Sequence, residues 1–381
     1  VKYVDEFRDR DRAAALIREI AHVVERIAAA RPRPLKIMEV CGGHTHSIFR
    51  YGLEGLLPAG LELVHGPGCP VCVLPIGRVD DCIAIAEHPG VIFATFGDAL
   101  RVPGSRRSLL QARADGLDIR TVYSPADALA LAHANPEREV VFFGLGFETT
   151  MPATALTILA AARDGVRNFS VFCNHITIVP TVKAILDSPG LELDGFLGPG
   201  HVSTVIGTAP FEFVARHYRR PLVVAGFEPL DVLQALWMVV LQIEQGRAEV
   251  ENQYARVVAA GGNRQALAAI AEVYELRPFF EWRGLGSIDH SGIRIRPAYA
   301  AFDAEARFAV PNARIADPVA CQCGEVLKGV LRPYDCKVFG AACTPETPLG
   351  ALMVSTEGAC AAAYTYGGRL RTGGNLLRVT R

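Results

Sequence analysis

The sequence predicts an α/β protein: two lobes of parallel sheet covered by helices, with a smaller third domain organised around cysteines. Three observations carry this reading. At roughly 150 residues per domain, the 381 residues allow two or three buried cores. A short β-rich apolar run, a Gly- or Pro-containing loop and a helix-like stretch recur seven times, as parallel strands with helical crossovers do. Five of the ten cysteines fall in the final 61 residues, where the texture turns irregular. The expected divisions are 1–120, 121–240 and 241–381.

In chain order, Ala15, Ile17, Ile20, Ala21, Val24 and Ile27 stand at helical spacing before ARPRP, an amphipathic helix with a stop. The seven units follow. LKIMEV leads into CGGHTH, LELVHG into PGCPVC, VIFATF into GDALRVPG, EVVFFG into LGFETT, NFSVFC into NHITIVP, LDGFLG into PGHVST, and PLVVAG into FEPLDV. Residues 230–258 and 265–273 read as helical, and Arg-, Gly- and Pro-rich sequence comes after them. Loops beyond the carboxyl ends of parallel strands converge on a crevice, and here those loops hold the unusual residues. Function is expected at a cleft between the lobes.

Composition narrows the class. Lys plus Arg at 39 against Asp plus Glu at 40 leaves a net charge of −1, which argues against nucleic-acid and polybasic membrane binders. No apolar run approaches the roughly 20 residues of a membrane span; the longest candidate is 236–241. The first residues alternate acid and base without an apolar signal core, which predicts a cytoplasmic protein. Clustered cysteines in that compartment point to metal or redox chemistry rather than a disulfide framework.

There are three cysteine groups. Cys321 or Cys323, with Cys336, Cys343 and Cys360, offers four thiolates with fourteen (or twelve), six and sixteen residues between them. Zinc sites favour tight ligand pairs, so this wide spacing favours an iron-sulfur cluster. Cys69-Pro-Val-Cys72 is a redox pair or half a metal site, expected at a helix start that lowers thiol pKa. Cys41, followed by two glycines, His44 and His46, is expected to be exposed by its loop, as a nucleophile or soft metal ligand. Cys82 and Cys173 sit in apolar contexts and read as core. GLGFETT lacks the third glycine of a dinucleotide loop, and Glu148, His201 and Glu228 are candidates to line the crevice.

Taken in order, CGGHTH, GPGCPVC, FGLGFETT, GPGHVSTVIG, CQCGEVLKG, DCKVFGAACTP and MVSTEGACAAAYTYG resemble the HypD family of hydrogenase maturation proteins over nearly the whole chain. The resemblance implies a scaffold with a redox function. With a HypC-like small chaperone it would carry the iron on which the Fe(CN)2CO group of [NiFe]-hydrogenase is assembled, with a HypE-like cyanide donor and, indirectly, the hydrogenase large subunit as partners. It implies Cys41 as ligand of the nascent iron, His44 as an imidazole beside it, Cys69 and Cys72 as a redox-active pair, and a [4Fe-4S] cluster on Cys321 (or Cys323), Cys336, Cys343 and Cys360. The family often has Cys where this chain has Leu352, which leaves Cys323 without a partner and points to Cys321 as the ligand. The residues alone also admit a free-standing iron-sulfur-dependent thiol-disulfide oxidoreductase, or a zinc-stabilised interaction module. Cys41 with His44 and His46 is more than a simple reductase needs.

Overall fold

Two parallel sheets organise the chain in the computed structural model, which describes residues 5–367 apart from positions 189 and 191. The strands are β1 (Leu35–Glu39), β2 (Leu61–His65), β3 (Val91–Thr95), β4 (Ile119–Thr121), β5 (Glu139–Gly146), β6 (Phe169–His175), β7 (Gly195–Gly198), β8 (Leu222–Val224) and β9 (Val250–Asn252). One sheet has the order β2-β1-β7-β8-β9 and the other β4-β3-β5-β6. All seven expected runs are strands. They read clearly because central parallel strands are covered on both faces; every residue of β3 and β6 is buried. β4 and β9 were not foreseen, being three-residue edge strands, IRT and VEN, without an apolar run.

Helices fill the crossovers. The helix Arg10–Ala28 starts where the Asp9 carboxylate accepts the Arg12 N–H at 2.9 Å. It turns Ile20, Val23 and Val24 onto Val232, Leu236 and Val240 of the helix Pro229–Glu244, in a core that also takes in Leu35 and Ile37 of β1.

The chain places β1 and β2, builds all of β3 to β6, and then returns to add β7 to β9 beside β1. The expected division at 120 therefore falls inside β4, and that at 240 inside the helix Pro229–Glu244. One repeated strand-loop-helix pattern serves both sheets, so the pattern does not say which sheet a strand joins. After β9 come two antiparallel pairs, β10 (Tyr274–Leu276) with β13 (Ile293–Ile295), and β11 (Phe279–Trp282) with β12 (Gly286–Asp289).

The final segment builds no separate core. Cys323, Val326, Leu327, Cys343, Leu352, Met353 and Cys360 belong to the same buried cluster as Met38, Val64, Cys69 and Cys72. A Cβ on Gly329 would lie 2.3 Å from Val64 of β2, so this segment packs directly on the first sheet. This packing does not set the C-terminal segment apart as a separate domain. No helix among the described residues is long and apolar enough to cross a membrane.

A cysteine-lined cleft between the two sheets

In each sheet, successive crossovers leave in opposite directions between two central strands, β1 and β7 in one and β3 and β5 in the other. Loops diverge at such points and open a crevice. Here the two crevices merge in a cleft of about 620 Å³. Its lining includes Cys41 after β1, Cys69 after β2, Asp98 after β3, Thr149 after β5, His201 after β7, and Glu357 from the C-terminal segment.

Cys41 lies two residues beyond β1 and caps the helix Gly42–Tyr51 without a side-chain cap bond. Its loop does not expose it as expected: it is 5% exposed. Glycines bring the walls together around it. A Cβ on Gly68 would lie 2.4 Å from the Cys41 backbone nitrogen, and one on Gly43 would lie 2.9 Å from the Phe227 ring. Burial pushes the Cys41 thiol up to about 12, with the charges of Glu357 and Glu39 adding to it. His201 Nδ1 stands 4.0 Å from Cys41 Sγ.

A buried charged chain holds the loop from behind. Glu39 is fully buried; its carboxylate accepts the Cys41 N–H at 2.9 Å, the Thr45 hydroxyl, and His65 Nδ1 at 2.9 Å. The parallel register sets Glu39 directly beside His65, whose Nε2 reaches Glu54 at 3.2 Å. Burial opposes a charge on His65, but the hydrogen bonds it donates to Glu39 and Glu54 outweigh it and push the imidazole up to about 10.

His44 is fully buried, stacked on Phe227 with centroids 4.8 Å apart, and its Nε2 lies 3.1 Å from the Ala225 carbonyl, a geometry for N–H donation. Its Nδ1 has no protein partner, and burial lowers its pKa. His201 also stacks on Phe227, at 3.8 Å, and burial followed by the neighbouring His44 lowers it to about 4.

Cys69 and Cys72 are joined as a disulfide. They occupy a turn and not the expected helix start; the next helix, Ile76–Ala86, begins after Pro75. Cys82 and Cys173 are buried, as expected of core residues. Of the three crevice candidates only His201 lines the cleft. Glu148 is buried, accepts the Ile178 N–H at 3.0 Å through Oε1, has no partner at Oε2, and is pushed by burial to about 7. Glu228 receives Arg8 (3.0 Å) and starts the helix Pro229–Glu244.

The remaining five cysteines, Cys321, Cys323, Cys336, Cys343 and Cys360, surround one small gap of about 10 Å³. The sulfurs of Cys321 and Cys323 are 3.0 Å apart, and a Cβ on Gly350 would strike both. That contact lowers Cys321 to about 7, whereas the same contact and burial push Cys323 well above the ordinary thiol range. Burial raises Cys360 in the same way, with Cys343, Cys321 and Cys336 adding to it. Among the described residues, no group of three or more His, Cys, Asp or Glu already stands as a metal site. Leu352 is 1% exposed, with its backbone against Cys323 on one side. On the other, a Cβ on Gly358 would lie 2.3 Å from the Leu352 carbonyl oxygen and 2.9 Å from Cys72 Sγ. The motifs left Glu39, His65, Asp98 and Glu357 unnoticed.

Fold and site together define a class: a two-sheet α/β protein whose switch-point cleft brings a free thiol beside a disulfide, with a second thiol cluster packed behind. The chain belongs to the HypD family of hydrogenase maturation factors: the family model described as "Hydrogenase formation hypA family" matches residues 13–367. It is 62% identical over 372 residues to the hydrogenase maturation factor HypD of Rhodobacter capsulatus, covering 97% of this chain and 99% of that one. Identity to the factors of the same name from Rhizobium leguminosarum bv. viciae and Escherichia coli (strain K12) is 55% and 54%, over 96% of this chain and 96% and 98% of theirs.

Proposed function

We propose that the cleft is the workbench on which an iron ion is fitted with cyanide and carbonyl for [NiFe]-hydrogenase. The carrying observation is Cys41, a soft sulfur donor with no disulfide partner, lining the same cleft as the Cys69–Cys72 pair. Burial and two nearby carboxylates disfavour its bare thiolate, so a cation is the natural partner of that charge. The arriving iron is cargo, held between Cys41 and a cysteine of a HypC-like chaperone docked over the cleft. A HypE-like donor brings the cyanide, and the hydrogenase large subunit receives the product. The Glu39 carboxylate fixes the Cys41 backbone, while the buried, unpartnered Nδ1 of His44, on the helix that Cys41 caps, is an acceptor for a proton.

The C-terminal thiols suit a [4Fe-4S] cluster as donors. Four sulfurs lining one small gap repel as thiolates unless cations join them, and Cys321 (or Cys323) belongs with Cys336, Cys343 and Cys360. When bound, a cluster supplies single electrons. Co-purification with the chaperone followed by infrared spectroscopy tests the main reading: cyanide and carbonyl stretches are expected on the complex, and a complex that carries iron without them refutes it.

A further inference from the structure

The two sulfurs of the disulfide have unlike surroundings. Both are buried, but Cys69 lines the cleft with Cys41, Gly68 and Pro70, whereas Cys72 is not part of that lining. Around Cys72 the space is taken by Gly358, where a Cβ would lie 2.9 Å from Sγ and 2.3 Å from the Leu352 backbone carbonyl oxygen. Within the turn, the Cys72 N–H points at Cys69 Sγ from 3.3 Å, so negative charge on that sulfur already has a donor. Thiol-disulfide exchange proceeds by attack of a thiolate on one sulfur while the other leaves, and access decides which is attacked.

We propose that the pair exchanges through Cys69 only, with a thiol delivered into the cleft, and that Cys72 is the leaving and resolving sulfur. This rests on the reading of the pair as redox-active. An entering thiolate RS⁻ bonds to Cys69 Sγ, the Cys69–Cys72 bond breaks, and Cys72 leaves as a thiolate that takes up a proton. A second RS⁻ attacks the R sulfur of the mixed disulfide and frees the Cys69 thiolate as RSSR forms. Two external thiols are thereby oxidised to one disulfide and the protein disulfide is reduced to two thiols; oxidation runs the same steps in reverse.

The test uses the reduced full chain as wild type, Cys69→Ser and Cys72→Ser, each exposed to glutathione disulfide, acid-quenched and digested with trypsin. Both cysteines fall on the peptide 51–78 and Cys41 on the separate peptide 37–50, so adducts are assigned by mass. Cys72→Ser is expected to gain one glutathione on 51–78, with Cys69→Ser reacting there at least about tenfold more slowly. Equal or faster labelling of Cys69→Ser, or no labelling of either variant, overturns the proposal. A wild type whose thiol count does not fall by two on oxidation refutes the redox reading itself, a separate outcome. Should Cys72→Ser misfold, rapid-quench trapping of the wild-type adduct, located by fragment ions, decides the same point. Repeating the reaction with the disulfide of a Cys-containing heptapeptide distinguishes a partner chain's cysteine, if the peptide reacts faster, from a free small thiol, if glutathione does.

Discussion

Replacing His65 with Ala isolates what the buried charged chain behind Cys41 contributes. The wild-type imidazole sits 6% exposed between Glu39 and Glu54, with its pKa raised from 6.5 to about 10. The fold thus binds that proton more tightly than the unfolded chain does. The resulting stability is complete below pH 6.5 and fades as pH climbs toward 10. From those two values it amounts to about 4 kcal/mol at pH 7 and about 1 kcal/mol at pH 9. His65→Ala leaves the fully buried Glu39 without its cation and should destabilise by about 3–5 kcal/mol at pH 7. Adding Glu39→Gln should recover part of that loss. Urea unfolding at several pH values measures all three proteins. The wild type should lose about 2–3 kcal/mol between pH 7 and pH 9, and His65→Ala should lack that slope. A wild-type profile flat over this range, or a His65→Ala protein as stable as wild type at pH 7, would refute the reasoning.

Further outcomes are open to direct measurement. Cys41→Ala removes one buried sulfur at the edge of a cleft and should cost about 1 kcal/mol in urea unfolding, while the complex with the chaperone loses its cyanide and carbonyl infrared bands. Persistence of those bands would move the iron to another ligand. Cys336→Ala or Cys343→Ala should abolish the charge-transfer absorption of anaerobic protein, and Cys323→Ala should retain it; stoichiometric zinc without iron would sink the cluster assignment. Gly68→Ala forces a Cβ within 2.4 Å of the Cys41 backbone and should lower Tm by several degrees, about 1–3 kcal/mol of overpacking, with thermal unfolding as the readout.

The strands that were legible in the sequence are those buried on both faces, such as VIFATF and NFSVFC, whose apolar runs have no other economical explanation. IRT and VEN were not, since an edge strand needs few apolar residues. The cleft itself was legible because Cys41, Cys69 and His201 each follow a strand-like run. Glu39 and His65 could have been noticed as the polar residues ending LKIME and LELVH, but their pairing depends on a register that only the folded sheet sets. Asp98 and Glu357 look like ordinary surface acids until the C-terminal segment closes on the cleft. The burial of Cys41 escaped notice for the same reason: its cover arrives from residues some 160 to 320 positions away.

The detour of the chain between β2 and β7 has a consequence for how the protein comes into being. Residues 91–175 hold every strand of one sheet in unbroken succession, so that sheet is complete early in synthesis. The strand that precedes Cys41 waits 158 residues for its inner neighbour, counted from Ile37 to its partner Gly195, and closing so long a loop costs about 4 kcal/mol in chain entropy. A nascent chain therefore owns one finished sheet before it owns a cleft, whose lining is complete only when Ser355 and Glu357 have closed over it. Pulse-labelled hydrogen exchange should show β5 and β6 protected ahead of β1.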